Sequence, residues 1–396
     1  MTGRAPFFDQ TRVLLVCGVA LLHAACGYSR LVPWWHVQGP PSALADVLVA
    51  VLDVFLMPLL FFIAGVFAPA SAARTTAAGF VVKKARRLLW PLCLLTLFYL
   101  PAMAWWGARE RLGETLGFFA YWKRSLATLG DVRPVLLATV AQGKAAQGAL
   151  SPHLLWFLSL LFLFFLGYRF LPGVRKLAAR LRLRPRVLVA AGLVMAVAAT
   201  AVNAAIPAGA WWQWNAVLLF QPVRLPLYAG FFLLGACLGA SDDTLPALAR
   251  GRAWPLCVAA VVAVAATVAL AGRTHAPGGA PLTVLALHAG CRTAANLLLV
   301  CACLRLGLGR QRPLSAWGAS LAASSYDIYL LHMPLVVFAQ YALAWMGWPG
   351  PAGIALSTAA AVAGCWLASA ALVRPHPRAA VAALMLFFAG FCLLGG

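Results

Sequence analysis

Residues 46–68 read DVLVAVLDVFLMPLLFFIAGVFA, and apart from Asp46 and Asp53 the stretch carries no charge. A run of roughly 20 apolar residues is what a helix needs to cross a hydrocarbon core of about 30 Å. Outward from it, comparable runs recur at about 12–28, 88–106, 153–170, 187–206, 219–240, 255–272, 283–304, 321–345, 351–373 and 379–396. Of the 396 residues, 63% are hydrophobic and only 10% charged, more apolar material than a water-soluble core requires. Each run has to be a helix, because a backbone in lipid must satisfy its own hydrogen bonds, and no stretch alternates as a barrel strand would. The sequence therefore predicts an all-α polytopic membrane protein of 10–11 transmembrane helices, with 1–396 as a single integral membrane domain. Pro58, Pro222, Pro226 and Pro334 fall in or near these runs, where proline bends the axis.

A formal charge of +22 raises the question of nucleic acid, and its distribution answers it. With the amino terminus cytoplasmic, the inside segments hold 20 of the 31 Lys and Arg residues, among them Arg4, Arg74, Lys83, Lys84, Arg86, Arg87, the run from Arg175 to Arg186, Arg250, Arg305, Arg310, Arg312 and Arg374. The outside segments hold eight, Arg133 and Lys144 among them. Such an excess orients a polytopic protein, so the expectation is a cytoplasmic amino terminus, an external carboxyl terminus and no nucleic-acid partner. All ten cysteines lie in apolar segments, and Cys301 and Cys303 have no neighbours at zinc-ligand spacing, so no metal is expected. Residues 107–152 form the longest connection; its Phe118, Phe119, Tyr121, Trp122, Lys123 and Arg124 mix aromatic and basic groups as an interfacial helix does. That helix is either a membrane anchor or a functional element, a lid or an acceptor-binding one.

Ionisable groups inside spans are costly, which marks each as a functional candidate. Arg12 and His23 share one stripe of the first helix, eleven positions apart, or ~16 Å of rise. Asp9 precedes Arg12 by three, the spacing of a helical ion pair. Histidine is suited to proton transfer near neutral pH, yet a lone buried His is as readily a packed, hydrogen-bonded one. Lys83, Lys84, Arg86 and Arg87 at the start of the third span suit a phosphate-bearing ligand or, equally, anionic lipid. Ser325, Tyr329 and His332 fall on one helical face, which reads as a polar pocket. His153 and Trp156 open the fourth span, and Arg292 lies in the eighth with Asp53 as a possible counter-ion.

In this order the pieces resemble the membrane-bound acyltransferase 3 family, over most of the chain. Asp9-x-x-Arg12 followed after ten residues by His23 resembles its first-helix signature. Phe61-Phe62-Ile63-Ala64-Gly65 is similar to its Phe-Phe-x-Ser-Gly element, with Ala64 where Ser is usual, and Lys84-Ala85-Arg86-Arg87 to its Arg-x-x-Arg motif, with Lys in first place. His153-Leu154-Leu155-Trp156-Phe157-Leu158 is similar to a His-Leu-Trp-Phe-Leu element with one Leu inserted, and Ser325-Tyr326-Asp327-Ile328-Tyr329-Leu330-Leu331-His332-Met333-Pro334 is the most specific match. The resemblance implies an O-acyltransferase of the bacterial cytoplasmic (inner) membrane. It would move an acetyl or succinyl group from cytoplasmic acyl-CoA to a hydroxyl of a cell-envelope glycan or similar acceptor outside.

Under that resemblance Lys83, Lys84, Arg86 and Arg87 hold the CoA phosphates. His23 is general base or transient acyl carrier, and Arg12 fixes the donor or the oxyanion. His332 and Tyr329 position the acceptor or relay protons, and His153, Trp156, Ser325 and Arg292 complete the set as substrate-binding candidates. The Met57-Pro58-Leu59-Leu60-Phe61-Phe62 run is similar to the branch that succinylates periplasmic glucans. The rival class is a transporter or flippase for a glycan or lipid precursor without acyl chemistry. It would explain intramembrane Arg and His equally well, but not a basic helix entrance aligned with His23.

Overall fold

A computed structural model describes residues 6–130, 135–136, 150–214, 216–241, 251–275, 279–308 and 314–395. Arg4, Arg133, Lys144, Arg250, Arg310 and Arg312, counted above for orientation, and most of 131–149 lie outside the described residues. The helices are α1 (Pro6–Cys26), α2 (Ala43–Val66), α3 (Ala68–Ala73), α4 (Ala77–Phe98), α5 (Leu100–Leu112), α6 (Phe118–Ala127), α7 (Trp156–Phe170) and α8 (Pro172–Arg180), followed by α9 (Pro185–Ala205), α10 (Leu225–Gly239), α11 (Trp254–Ala271), α12 (Leu282–Leu308), α13 (Ala316–Trp345), α14 (Gly350–Ala368) and α15 (Pro377–Leu394).

Among the described residues ten helical stretches are long and apolar enough to cross a membrane, and Pro377–Leu393 is a shorter apolar helix. The chain is an all-α polytopic membrane protein. Contacts between connections sort them onto two ends of the bundle. At one, the basic end, Arg169 donates to the Ala72 and Thr75 carbonyls, Arg305 to the Arg252 carbonyl, and the Tyr326 hydroxyl to the Arg87 carbonyl. At the other, Tyr341 donates to the His36 carbonyl, Gln213 to the Leu150 carbonyl, and the Phe118 amide to the Gly395 carbonyl. The last bond places the far end of α15 opposite Arg374.

A three-stranded antiparallel sheet marks that second end: β1 (Val135–Leu136), β2 (Trp212–Trp214) and β3 (Leu218–Phe220), in the order β1-β2-β3. The sequence reading contains no strand there. Next to it α7 and α10 have only 15 residues each, ~22 Å, and both are entered through a 3₁₀ turn, His153–Leu155 and Pro222–Arg224. Pro222 and Pro226 therefore start α10 rather than bend it.

The third span differs from the expected 88–106. Thr76 caps α4 by accepting from the Gly79 amide at 3.1 Å, so the helix begins at Ala77 and the basic residues lie well inside it, not at its entrance. After Tyr99 the chain continues as α5 to Leu112, where Gly113 takes the left-handed φ of +66° that ends it. The connection expected from 107 therefore starts at 113.

α2 sits at the centre, packed against α1, α10, α11, α12 and α14. Its closest partner is α10, where backbones touch: a Cβ on Gly65 would lie 2.0 Å from the Phe232 carbonyl oxygen, and one on Gly235 would lie 2.0 Å from that of Phe62. Lipid offers no hydrophobic drive between helices, so such close van der Waals approach is what fixes the pair. α9 and α11 lie at the periphery and turn Val189, Leu193, Val194, Val258, Val261 and Val262 outward.

Candidate functional site

α1 carries His23 on the stripe that packs on α13, and α13 carries His332 opposite it. His23 Nδ1 lies 2.8 Å from His332 Nε2, and the rings are 8° from parallel with centroids 5.1 Å apart. That centroid distance is about two ring radii plus the contact, so the rings meet edge to edge in one plane. His332 Nδ1 approaches only carbonyl oxygens, those of Tyr329 at 2.8 Å and Ile328 at 3.1 Å, and so must carry the proton. With both rings neutral, His332 Nε2 then accepts and His23 Nδ1 donates, which leaves the lone pair on His23 Nε2. Two backbone carbonyls thereby set the tautomer of a histidine on another helix, and they set it to that of a general base.

A second pair of side chains holds this geometry. Trp35, in the turn after α1, stacks on His23 at 5.6 Å and 22°. Its indole N–H donates to Gln340 Oε1 at 2.9 Å, while Gln340 Nε2 donates to the His23 and Ala24 carbonyls at 3.0 and 2.8 Å. Those carbonyls end α1 and have no helical partner of their own, so Gln340 caps the helix from across the bundle. A Cβ on Gly27 would lie 2.5 Å from Gln340 Nε2, which is why glycine stands there.

Towards the sheet end, Trp35 leads to His36, whose ring lies 5.9 Å from that of His153. His153 takes φ +42°, unusual for a residue with a Cβ, at the turn that opens α7. Tyr329 donates to the Leu154 carbonyl at 2.8 Å and contacts the rings of His332 and Phe157. The structure thus gathers His23, His332, Tyr329 and His153, and adds Trp35, His36 and Gln340. Those three are absent from the sequence reading; Gln340 carries a signal, since an amide inside an apolar span is also costly.

The remaining candidates lie elsewhere. Arg12 pairs with Asp9 at 3.0 Å, as the spacing predicts, and donates to Ser325 Oγ at 2.8 Å and the Ala322 carbonyl at 3.0 Å. It stands ~16 Å of helix rise towards the basic end from His23, and Ser325 stays there with it. Of the four cations of α4, only Lys84 is partly buried, over the Phe165 ring at 3.5 Å; Arg87 is exposed but set over Tyr326 at 5.5 Å, and Lys83 and Arg86 are exposed. Trp156 is buried against Tyr228, Phe61 and Trp211. Arg292 meets Asp53, as anticipated, but Asp53 also receives both terminal nitrogens of Arg224.

Fold and site together define a multi-pass membrane protein with a histidine pair at the heart of its bundle. The chain belongs to the acyltransferase 3 family, whose sequence model, described as an acyltransferase domain, matches residues 6–370. It is a membrane acyltransferase. Neither a curated protein nor a solved structure matches the chain.

Proposed function

We propose that the protein transfers an acyl group, acetyl or succinyl, from acyl-CoA entering at the basic end to a hydroxyl of a glycan or similar acceptor entering at the sheet end. The observation that carries this reading is the His23–His332 hydrogen bond, which leaves a base-competent nitrogen between the two ends. The acceptor O–H gives its proton to His23 Nε2 as its oxygen attacks the thioester carbonyl. The C–S bond breaks, and the departing CoA thiolate takes that proton back from His23, with ester and thiol as products.

Lys84 and Arg87, on the face of α4 turned towards Phe165 and Tyr326, serve the CoA phosphates, and Arg12 serves the donor rather than the oxyanion because of its distance from His23. Lys83 and Arg86, exposed and set over neither of those rings, suit lipid headgroups. His153 and His36 flank the acceptor path. With the basic end cytoplasmic, as the charge bias favours, the reaction runs across a bacterial inner membrane.

The test is binding and thioester cleavage of acetyl-CoA and succinyl-CoA by the purified protein, with His23→Ala and a Lys84→Ala, Arg87→Ala double variant alongside. Loss of donor binding in the double variant, with turnover but not binding lost in His23→Ala, supports both roles. A protein that binds neither donor, or a His23→Ala variant with full turnover, refutes the reading.

A further inference from the structure

Away from the histidine pair, a second polar cluster lies at a similar depth. Arg224 Nη1 and Nη2 grip Asp53 Oδ1 and Oδ2 at 2.6 and 2.7 Å, a two-bond fork, and Arg292 Nη2 reaches the Asp53 backbone carbonyl at 2.5 Å and Oδ2 at 3.3 Å. Gly18 of α1 packs on Leu56 of α2, and the two helices run in opposite directions, so Asp53 stands level with about residue 21, within a turn of His23. Rings connect the two clusters: Tyr329 to Phe157, Phe157 to Phe61, and Phe61 to Tyr228, one turn after Arg224.

One carboxylate facing two guanidinium groups leaves a positive charge inside the membrane, where an uncompensated charge is costly. Among the described residues the other acids are engaged elsewhere or lie far off: Asp46 pairs with Arg30, Glu114 with Arg124, Asp9 with Arg12, Asp327 accepts from Ser369 at the basic end, and Glu110 is in α5. The cluster is also accessible: the Asp53 side chain is 38% exposed and that of Arg224 21%. Two buried atoms have no partner: Arg292 Nε, a donor, and Asn296 Oδ1, an acceptor one turn further on, whose amide nitrogen is already committed to the Val54 and Arg292 carbonyls.

We propose that Arg292, with Arg224 and Asp53, binds an anionic group, a carboxylate or phosphate monoester, borne by one of the two transfer substrates. This rests on the acyl-transfer reading above, and it assigns to that reading a charged substrate. A bound carboxylate brings the cluster to neutrality, a phosphate monoester takes it past neutrality, and either takes the donor that Arg292 holds in reserve, while the Arg224–Asp53 fork keeps the guanidinium groups in place. The group reaches this site from the acyl chain, as the free carboxylate of a dicarboxylic acyl-CoA, or from the acceptor.

Thermal unfolding of the full-length protein in detergent, with sodium succinate or inorganic phosphate against sodium chloride at matched ionic strength, tests the site. Succinate or phosphate should raise the wild-type midpoint. Arg292→Gln should abolish that rise without lowering the ligand-free midpoint, because it leaves a neutral Arg224–Asp53 pair; Arg292→Lys should keep part of the rise. A fall in the ligand-free Arg292→Gln midpoint with no anion response in the wild type would show a structural staple and overturn the proposal. Turnover separates the sources: a drop of ~10-fold or more in the succinyl-CoA to acetyl-CoA ratio of kcat/KM in Arg292→Gln assigns the anion to the donor, about 1.4 kcal/mol. An unchanged donor ratio with a similar drop for glucose 6-phosphate against glucose assigns it to the acceptor. If wild type cleaves no acyl-CoA, the acyl-transfer reading fails, while the thermal shift still decides whether the site binds anions.

Discussion

The two polar clusters at the middle of the bundle solve the cost of burial in different ways. His23 and His332 form a neutral, linear chain in which each donor meets an acceptor, ending in one free nitrogen. Asp53, Arg224 and Arg292 are charged, unequal in sign and partly accessible. A neutral chain is cheap to keep dry and can move a proton; a charged cluster is costly alone and gains from a ligand. On the proposed reading, reaction and recognition are thereby divided between clusters joined by aromatic rings.

The largest effect that would break this contrast is on turnover. His23→Ala should lower kcat by ~10²–10⁴ with donor binding kept, and His332→Ala should lower it less, because it removes the partner that fixes the tautomer and not the base. Adding His332→Ala to His23→Ala should cost little more, a non-additivity that steady-state kinetics would read. Independent, additive losses would mean that the two rings do not act as one unit.

On the charged side, Asp53→Ala strands two guanidinium groups and should destabilise the protein by about 2–3 kcal/mol. That lies below the loss for a fully buried pair because the Asp53 side chain is 38% accessible to screening. Reversible unfolding would show it, and a neutral outcome would mean that the two arginines do not depend on Asp53. Gln340→Leu comes next. It frees the Trp35 indole N–H and the His23 and Ala24 carbonyls, at about 1–3 kcal/mol, and should lower kcat more than it raises KM. Equal changes in both would argue against a positioning role for Gln340.

The smallest effect lies outside the membrane. Arg124 hydrogen-bonds Glu114 and holds its carboxyl below the usual range, with the Leu116 amide assisting. A depressed acid contributes stability that is full above its unfolded pKa of about 4.3 and is lost as pH falls through the folded value. Hydrogen exchange in α6 should therefore speed up in the wild type as pH drops below about 4, after correction for intrinsic rates, and Glu114→Gln should remove that dependence. At up to about 1 kcal/mol it marks the ordinary worth of a surface pair against which the buried clusters can be judged.

Some of this was legible in the chain. The Asp9–Arg12 pair followed from three-residue spacing, and the shared stripe of Arg12 and His23 from helical phase. The Phe61–Gly65 element was visible as a resemblance, but its reason appears only in the packing, where Gly65 and Gly235 let two backbones touch. The basic run of α4 reads as one cluster, whereas rings of neighbouring helices take up two of its cations, Phe165 beneath the half-buried Lys84 and Tyr326 beneath the exposed Arg87. Arg224 has no legible role in the sequence, because nothing near it announces Asp53 as its partner.

Sequence by itself determined that this is a helical membrane protein, which cations share an end and which polar groups are too costly to be idle. These are sums of local quantities, the transfer energy of each side chain and the pitch of one helix. Tertiary structure alone decided that His23 meets His332, that Gln340 caps α1 and that two arginines share Asp53. Inside lipid, hydrophobicity does not choose one helical neighbour over another. The choice falls to close backbone approach and buried hydrogen bonds between residues 171 to 317 positions apart, which no local pattern encodes.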